Sequence, residues 1–169
     1  MTRTDPMTET YQAQIDSPIG VLTVVASDVG VRKILWEDQI GDAGDAVFDD
    51  AHPVLVVAAA QLEEYFRGDR QTFDLPLDLV GTDFQKEAWL ALATVPYGET
   101  TSYGEQAERI GRKGAFRAVG AANGKNPIPI VLPCHRIVGA NGALTGFAGG
   151  LDVKQRLLAL EQDQLSLDI

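Results

Sequence analysis

Short apolar runs separated by turn residues occupy the start of the chain, a pattern typical of a β-sheet. The runs are rich in Val, Ile, Leu and Thr, and the turns contain Gly20 and Gly30. The pattern predicts three short strands, within TYQAQID at 10–16, GVLTVVAS at 20–27 and GVRKILW at 30–36. Residues 37–50 are rich in Asp, Gly and Ala, so we expect them to form a loop.

A helix is predicted from Pro53, a residue that suits a first helical turn, to Phe66, two residues before Gly68. Apolar residues recur along it at the spacing of one helical face, namely Leu55, Ala59, Leu62 and Phe66. Strands followed by a helix indicate a small α+β domain, which we place at residues 1–80. Nothing in this domain resembles a catalytic site, so we interpret it as a scaffold.

The second half, residues 81–169, shows mostly helical patterns and is predicted to be a second domain. It follows the segment DLPLDLVG at 74–81, which is predicted to be a linker, and begins with Thr82 and Gln85 in a capping-box pattern. Later helices are predicted at Tyr103–Ile110, with Ser102 as its cap, at Ala115–Gly124 and at Asp152–Glu161. The first two of these, joined by a tight basic turn, have the proportions of a helix-turn-helix, although such helix pairs are common.

The helix predicted at Ala115–Gly124 has two different faces. Phe116, Val119 and Asn123 fall on one face, which we expect to point to the core. Another arc carries one long cation among small residues: Arg117, Gly120, Ala121 and Gly124. Such a bare arc suits close packing against a second helix, and it also suits a close approach to a nucleic-acid backbone. The periodicity leaves both alternatives open.

Charge is distributed unequally along the chain. The formal net charge of −10 argues against nucleic-acid binding, which needs Lys and Arg. Residues 1–80, however, hold 5 Lys and Arg against 15 Asp and Glu, whereas residues 81–169 hold 9 of each. No acid occurs at 109–151, where the cations are Arg109, Arg112, Lys113, Arg117, Lys125 and Arg136. This cluster predicts either a solvated basic surface or an anion-binding face, since the local field steers a ligand.

The composition argues against several classes of protein. A hydrophobic content of 45% with 22% charged residues is typical of a soluble globular protein. No stretch has the roughly 20 apolar residues of a membrane span, and the N-terminus lacks the apolar core of a signal peptide. We therefore expect no membrane association and a cytoplasmic location. One cysteine and two histidines make a metal site unexpected, and no cofactor is expected.

The only cysteine, Cys134, lies in the apolar run IPIVLPCHRIV at 128–138. A cysteine in such a run is most often a small buried hydrophobic residue. Pro133, however, disfavours a continuous central strand, so Cys134 is expected at a break. His135 and Arg136 follow directly and are expected to lower the pKa of the thiol. Because neighbouring strand residues point to opposite faces, Cys134 and His135 can interact only across a turn or through a water molecule.

Three features lie downstream of the cysteine. The GANG sequence at 139–142 predicts a hairpin turn that links short strands. The segment TGFAGG at 145–150 is a glycine-rich loop with an aromatic residue. Glu161 lies on the flank of the apolar face of the last helix, where it is either a solvated helix end or a group that orients His135.

Together these motifs resemble the O6-alkylguanine-DNA alkyltransferases. The similar segments are NPIPIVLPCHR at 126–136, AFRAVG at 115–120, GFAGG at 146–150 and KQRLLALE at 154–161. The resemblance covers about Asp83 through Glu161, whereas the first half matches only in length and element order. It implies an α/β (α+β) fold. A ribonuclease-H-like domain would be followed by a mostly helical, winged helix-turn-helix-like domain that binds DNA and accepts the alkyl group.

The resemblance also implies a reaction, namely DNA repair by irreversible, single-turnover alkyl transfer. Cys134 would attack the alkyl carbon of O6-alkylguanine in line, and O4-alkylthymine is a further possible substrate. His135 would deprotonate the thiol through a water molecule, while Glu161 orients the imidazole. Asn126 would brace the turn around the site.

Contacts with double-stranded DNA are implied as well. The helix at Ala115–Gly124 would enter the minor groove, where Arg117 fills the gap left by the flipped nucleotide and Tyr103 helps to rotate it. Further DNA contacts are expected from Gly120, Ala121, Gly124 and Lys125.

The residues expected around the base are Tyr103, Ile137, Phe147 and Ala148. Phe147 departs from the family pattern, because many relatives have tyrosine at this position, so a hydroxyl contact is lost. The small Ala148 beside it leaves room for alkyl groups larger than methyl.

Two other functions fit parts of the pattern. Alkyltransferase-like proteins sense alkylated bases without transfer, but they carry tryptophan at the cysteine position, so Cys134 argues against them. A cysteine hydrolase would need a second attack by water and an oxyanion hole, and the sequence shows no loop for one. We therefore expect a monomeric DNA alkyltransferase.

Overall fold

The computed structural model describes residues 9–167, and the chain divides into two compact units, Met1–Leu79 and Val80–Ile169. The first unit contains, in chain order, β1 (Tyr11–Ile15), β2 (Leu22–Ala26), β3 (Val31–Leu35), a 3₁₀ helix (Glu37–Ala43), β4 (Val47–Phe48) and α1 (Pro53–Phe66). The second contains α2 (Asp83–Leu92), β5 (Thr101–Ser102), α3 (Tyr103–Arg109), α4 (Phe116–Gly124), a 3₁₀ turn (Cys134–Arg136), β6 (Ile137–Val138) and α5 (Leu151–Leu167).

The first unit is a four-stranded sheet with the order β3-β2-β1-β4 and one helix packed on it. The three predicted strands are confirmed, and they pair antiparallel. β2 lies between its two neighbours, and all five of its residues are buried. Strands in sequence followed by a helix on one face make this unit α+β, as predicted.

The loop predicted at 37–50 is wrong, because this segment contains the 3₁₀ helix and β4. β4 pairs parallel with β1 at the sheet edge, where Val47 N donates to Thr10 O at 2.9 Å. The buried Gln12 side chain holds the same segment, with its Nε2 donating to Ala46 O at 2.7 Å. These partners are more than 30 residues away along the chain, so the local composition of the segment does not indicate the pairing.

The helix α1 has the predicted bounds, Pro53–Phe66. Its buried face includes Leu55 and Leu62 as predicted, but Ala58 and Tyr65 complete it instead of Ala59 and Phe66. Tyr65 turns inward because its ring packs against the ring of Phe73, with 5.5 Å between the centroids. The spacing of apolar residues therefore predicted the helix correctly and misplaced its face by one residue.

The predicted linker at 74–81 is tied to the first unit through most of its length. Val31 N donates to Pro76 O at 2.9 Å, and Asp78 N donates to Val31 O at 2.8 Å. The Asp78 carboxylate also accepts from Arg32 Nε at 2.9 Å. A Cβ at Gly30 would lie 2.5 Å from Pro76 O, so glycine is required where this segment crosses the sheet edge.

Side-chain caps start the first two helices of the second unit. Thr82 and Gln85 form the predicted capping box at α2, and Ser102 Oγ accepts from Glu105 N at 3.1 Å at the start of α3. The helices α3 and α4 form close to their predicted bounds, whereas α5 extends past Glu161 to Leu167. No helix in residues 9–167 is long and apolar enough to cross a membrane.

Buried polar side chains fix the packing of α2, α3 and α4. Trp89 Nε1 donates to Ala122 O at 2.7 Å. The Gln106 and Asn123 amides form two reciprocal hydrogen bonds, of 2.9 and 2.8 Å. β5 pairs parallel with β6, so the residue before α3 lies beside the residues after the Cys134 turn. This ladder determines which side chains surround the cysteine.

The hairpin predicted around 139–142 is wrong in one respect. The tight turn forms, with Gly139 N donating to Ala143 O at 2.8 Å and Gly142 at a φ of 83°. No strand follows it in the part of the chain that the structure describes, because the chain continues as an irregular loop to α5. β6 pairs with β5 instead.

Candidate active site

Cys134 begins the 3₁₀ turn that interrupts the apolar run, as expected after Pro133. Its amide donates to Leu132 O at 2.8 Å, and Arg136 N donates to Pro133 O at 3.0 Å. The cysteine is half-buried, with no disulfide. The backbone therefore turns at the point where a regular strand would have separated Cys134 from His135 on opposite faces.

Asn126 holds the loop that leads to the cysteine. Its side-chain Nδ2 donates to Leu132 O at 2.7 Å, and its Oδ1 accepts from Ile128 N at 3.0 Å. The loop between them contains Ile130 at a φ of 74°, a left-handed conformation that is uncommon for a β-branched residue. One amide side chain thus bonds both ends of a strained loop beside Cys134.

Burial raises the pKa of the Cys134 thiol to about 11. A hydrogen bond with Asn126 and the charge of Lys154 lower this pKa, but only in part. The expectation that His135 and Arg136 lower it is wrong, because both side chains bind Glu161 instead. With a pKa raised in this way the thiol is almost entirely protonated at pH 7, so Cys134 needs a base.

His135 and Glu161 form a fully buried pair, with 2.7 Å between Nε2 and Oε2. The structure therefore brings Glu161 inward, the less frequent of the two alternatives for a charged residue at a helix flank. The contact of Nε2 with the carboxylate leaves Nδ1 as the nitrogen that can accept a proton, and Nδ1 has no hydrogen-bond partner among the described residues. Burial lowers the pKa of His135, so its imidazole is neutral at pH 7.

Arg136 completes this buried cluster. Its Nε and Nη2 donate to the two oxygens of Glu161 at 2.9 and 3.0 Å, and its Nη1 donates to Val95 O at 2.7 Å. Burial raises the pKa of Glu161, but the hydrogen bonds and charges of His135 and Arg136 outweigh it and hold the pKa at about 2. A charged carboxylate is thus fixed behind a neutral imidazole.

A narrow cleft leads to Cys134. Residues from α3, α4 and the glycine-rich loop line it together with the cysteine: Tyr103, Gly120, Asn123, Gly124, Gly146, Phe147 and Ala148. Tyr103 Oη and Thr145 Oγ1 lie 2.6 Å apart and join α3 to this loop. Of the expected base-pocket residues, Tyr103, Phe147 and Ala148 line the cleft. Ile137 does not, because its side chain is buried and its carbonyl accepts from Lys154 Nζ at 2.6 Å.

The sequence interpretation missed two residues of the site, Lys154 and Thr145. Lys154 is 1% exposed, and its Nζ also donates to Thr145 O at 3.1 Å. A signal for it existed, because Lys154, Leu157 and Glu161 are spaced three and seven residues apart on one face of α5. No local pattern indicated Thr145, which becomes part of the site through its contact with Tyr103.

The helix α4 exposes the arc of small residues next to the cleft. Arg117, Ala121, Gly124 and the following Lys125 are exposed, and Gly120 is half-buried. A Cβ at Gly124 would meet nothing within 4 Å, and one at Gly120 would make an ordinary contact with Tyr103 at 3.7 Å. Packing inside the chain therefore does not require these glycines. The structure disfavours the helix-packing alternative for this arc.

Phe116 is placed differently from the expectation. It was predicted to face the core, but it is 50% exposed, and Ala122 joins Val119 on the buried side. Its ring instead lies under the Arg117 guanidinium, 5.9 Å from centroid to Cζ. The buried side of α4 is therefore rotated from the predicted face by about a sixth of a turn.

The basic cluster is smaller than its sequence suggested. Arg136 is buried against Glu161, so its expected place on an anion-binding face is wrong. Arg109 lies 3.8 Å from Glu105 and Arg112 lies 3.4 Å from Glu87. Three exposed cations of the cluster have no ion pair with any of the side chains that the structure describes, those of residues 9–162, and they stand in and beside α4: Lys113, Arg117 and Lys125.

The chain is similar to known proteins over nearly its whole length. Two models of the 6-O-methylguanine DNA methyltransferase family match it, the ribonuclease-like domain at residues 10–79 and the DNA binding domain at 83–163. The methylated-DNA–protein-cysteine methyltransferase of Mycolicibacterium paratuberculosis is 51% identical over 148 residues, 88% of this chain and 90% of the relative. The protein of the same name from Methanosarcina mazei is 57% identical over 158 residues, 92% and 99% of the two chains.

A solved structure shows the same fold. The crystal structure of Mycobacterium tuberculosis OGT in complex with DNA has a TM-score of 0.84 with this chain at 47% identity, and the match covers 91% of this chain and 94% of that one. Family models match both halves of the chain, and relatives of about 50% identity cover nearly all of it. The chain belongs to the 6-O-methylguanine DNA methyltransferase family.

Proposed function

We propose that the chain repairs DNA by direct reversal, and that Cys134 takes the alkyl group of O6-alkylguanine irreversibly, once per molecule. One observation supports this assignment most strongly. The only cysteine of the chain lies in the cleft, and the residue after it is a neutral histidine backed by a buried carboxylate. The relatives are named for methyl transfer to a protein cysteine, which does not favour the sensor alternative.

His135 acts as the base in this proposal. A thiol with a pKa of about 11 is too weak a nucleophile unless its proton is removed. The unpartnered Nδ1 of His135 can take that proton through a bridging water, which would also satisfy a buried polar atom. Glu161 fixes the ring and stabilises the imidazolium that forms, and Arg136 fixes Glu161. Asn126 braces the turn and donates a hydrogen bond to the sulfur.

The transfer forms one bond and breaks one. The Cys134 sulfur attacks the alkyl carbon, the bond from that carbon to O6 breaks, and its electron pair stays on guanine. The thiol proton passes to His135 and from there to solvent, and the departing guanine takes one proton from solvent, so no net proton is gained or lost. The product thioether has no leaving group that a water molecule could displace, so the protein is consumed.

DNA binding is assigned to α4 and its surroundings. The exposed small residues Gly120, Ala121 and Gly124 allow a close approach to the minor groove of double-stranded DNA, and Lys125 contacts a phosphate. Arg117, the long cation of this arc, fills the gap that the flipped base leaves. Tyr103, at the start of α3 and inside the cleft, helps to rotate the nucleotide.

The lining of the cleft suggests the substrate range. Phe147 and Ala148 line the cleft with Cys134. Phe147 makes its wall apolar, and the small Ala148 leaves room for alkyl groups larger than methyl as well as for methyl itself. O4-alkylthymine belongs to this proposal as a second substrate. Ile137 acts through its backbone at the edge of the site, since its side chain is buried.

We propose further that the protein acts as a cytoplasmic monomer, with residues 81–169 as the reacting domain and residues 1–80 as a scaffold. All of the site residues named above belong to the unit Val80–Ile169, so no second copy is needed to complete the site. The reaction needs a free thiol, which the reducing cytoplasm maintains.

Mass spectrometry of the protein after reaction tests the proposal. An excess of duplex oligonucleotide with one O6-methylguanine is incubated with the protein, and the peptide that contains Cys134 is weighed. We expect one methyl group on that peptide and one repaired guanine per protein molecule. Cys134→Ser should abolish transfer and still bind the damaged duplex, because a serine hydroxyl is mostly protonated and a weaker nucleophile. Sustained turnover would instead favour the hydrolase.

A further inference from the structure

Phe116 is a large apolar residue that the core does not use. It is the first residue of α4 and is 50% exposed, while Val119 and Ala122 fill the buried side of the helix. On this helix Gly120, Asn123 and Gly124 follow it at spacings of four, seven and eight residues, which is one helical row. Those three residues line the cleft. Phe116 therefore extends the cleft side of α4 by one turn toward its N-terminus.

Exposed cations lie on the helix that carries Phe116 and next to its two ends. The Arg117 guanidinium lies over its ring at 5.9 Å, and Lys113 and Lys125 are exposed without an ion pair among the described residues. A single exposed apolar side chain needs no explanation by itself. An aromatic ring among unpaired cations is, however, the combination that binds nucleic acid, because the cations contact phosphates and the ring covers sugars and bases.

We infer that Phe116 is a DNA-contact residue at the rim of the cleft. Its ring packs against the sugars and base edges of the duplex beside the extruded nucleotide, and it holds the Arg117 guanidinium toward the gap. The exposed cations indicate that the occupant of this surface is negatively charged. The small residues that follow in the same row allow the close approach that DNA requires, and an acidic or apolar protein partner would leave no role for them. The inference rests on the proposed placement of α4 in DNA.

Duplex affinity tests the contact. Cys134→Ser protein, which binds without reacting, is compared with the same protein carrying Phe116→Ala, Phe116→Tyr or Leu90→Ala. We expect Phe116→Ala to weaken binding to the O6-methylguanine duplex about tenfold, the effect of losing half of a buried Phe side chain. Phe116→Tyr should restore affinity to within about threefold. Leu90, on α2 and 51% exposed, is the matched control, and Leu90→Ala should bind like the parent protein.

The salt dependence separates this contact from a phosphate contact. Loss of an apolar contact lowers the affinity at every salt concentration and leaves the slope of log affinity against log salt unchanged, whereas Lys125→Ala should make the slope shallower by about one. Affinity of Phe116→Ala within twofold of the parent overturns the inference, as does an equal loss in Leu90→Ala. The proposed function fails separately, if the wild-type protein is not alkylated at Cys134. Loss of duplex affinity in Phe116→Ala would then still support the contact.

Discussion

Glu161 is the residue on which the buried part of the site depends. It accepts hydrogen bonds from His135 and from two nitrogens of Arg136 with no exposure to solvent. A buried carboxylate in this position is stable only while both partners remain, because removal of one partner leaves an uncompensated buried charge. The same residue therefore links the chemistry of the site to the stability of the domain.

The stability of the protein should fall in acid because of this residue. The pKa of Glu161 is about 2 in the folded protein against a model value of 4.5, so the ionised form stabilises the fold fully above pH 4.5, and this stabilisation is lost as the pH falls toward 2. The shift corresponds to about 3 kcal/mol. His135 acts in the same direction. Its pKa is lower in the folded protein than in the unfolded chain, so at acid pH the unfolded chain binds a proton more readily and unfolding is favoured.

Urea unfolding at several pH values measures this effect. The wild-type free energy of unfolding should fall between pH 6 and pH 3, and Glu161→Gln should start lower at pH 6 and fall less. Glu105→Gln is the control, because Glu105 is an exposed carboxylate paired with Arg109 at 3.8 Å, and its profile should follow the wild type. A Glu161→Gln profile parallel to that of the wild type would contradict the assignment.

At the scale of elements, α4 combines a buried side with an exposed arc that packing does not explain. The neighbours of Arg117 on this arc are glycine and alanine, whose side chains are too short to fill the gap in its place. If Arg117 fills the gap left by the base, its loss removes what holds the base outside the stack, a step that costs a few kcal/mol.

Arg117→Ala should therefore slow repair of duplex DNA tenfold or more even at saturating DNA. Transfer from free O6-benzylguanine should change far less, because this substrate has no stack to leave. Single-turnover rates on the two substrates measure the ratio. Lys125→Ala, as a phosphate-contact control, should raise the DNA concentration for half-maximal rate without this loss at saturation. An equal loss on both substrates would mean that Arg117 supports the fold or the cleft itself.

A side-chain hydrogen bond connects α3 to the glycine-rich loop. Tyr103 Oη and Thr145 Oγ1 form one hydrogen bond of 2.6 Å, and Lys154 Nζ holds Thr145 O from the other side. A hydrogen bond of this kind contributes about 1 kcal/mol. Tyr103→Phe and Thr145→Val should each remove it, so the double variant should be destabilised less than the sum of the single variants.

A double-mutant cycle in urea unfolding gives the coupling, which we expect at about 1 kcal/mol. The control pair is Tyr103→Phe with Thr94→Val. Thr94 bonds Ala91 O and Arg109 and shares no partner with Tyr103, so these two substitutions should be additive. Additive behaviour of the Tyr103 and Thr145 substitutions would show that the loop is not held to α3 by this bond.

At the scale of the whole molecule, a protein with a negative net charge is proposed to bind DNA, which is also negatively charged. Its net charge is −10, and the cations free to contact phosphate, in and beside α4, are Lys113, Arg117 and Lys125. Each phosphate contact contributes about −0.9 to the slope of log affinity against log salt, so three contacts predict a slope of about −3.

Titration of a fluorescent duplex between low and moderate salt measures this slope. The value should be shallow, because the ion pairs of Arg109 and Arg112 and the burial of Arg136 leave few cations for phosphate. Arg136 itself cannot be tested cleanly by removal, since its loss would leave the buried Glu161 carboxylate without one of its two charge partners. Affinity that does not change with salt would exclude this DNA face, and a slope near −6 would mean that Arg109, Arg112 and Arg136 contact DNA after all.

The sequence by itself determined the local elements and indicated Cys134 as the candidate for the reacting residue. Apolar spacing and capping residues are local signals, and they predicted β1 to β3, α1 and the starts of α2 and α3 within a few residues. Cys134 was identifiable because it is the only cysteine and Pro133 interrupts its strand. The family resemblance added His135, Glu161 and Asn126, whose side chains the fold brings beside the cysteine or behind it.

Only the tertiary structure decided how distant groups combine. Whether Glu161 points inward, whether Arg136 is a surface cation, and whether Phe116 faces the core depend on packing between elements that are far apart in sequence. The pKa of Cys134 was misjudged for the same reason, because burial outweighs neighbouring charges once Arg136 has bound Glu161. Helical periodicity assigns a residue to a face, but the partner elements decide which part of that face is covered.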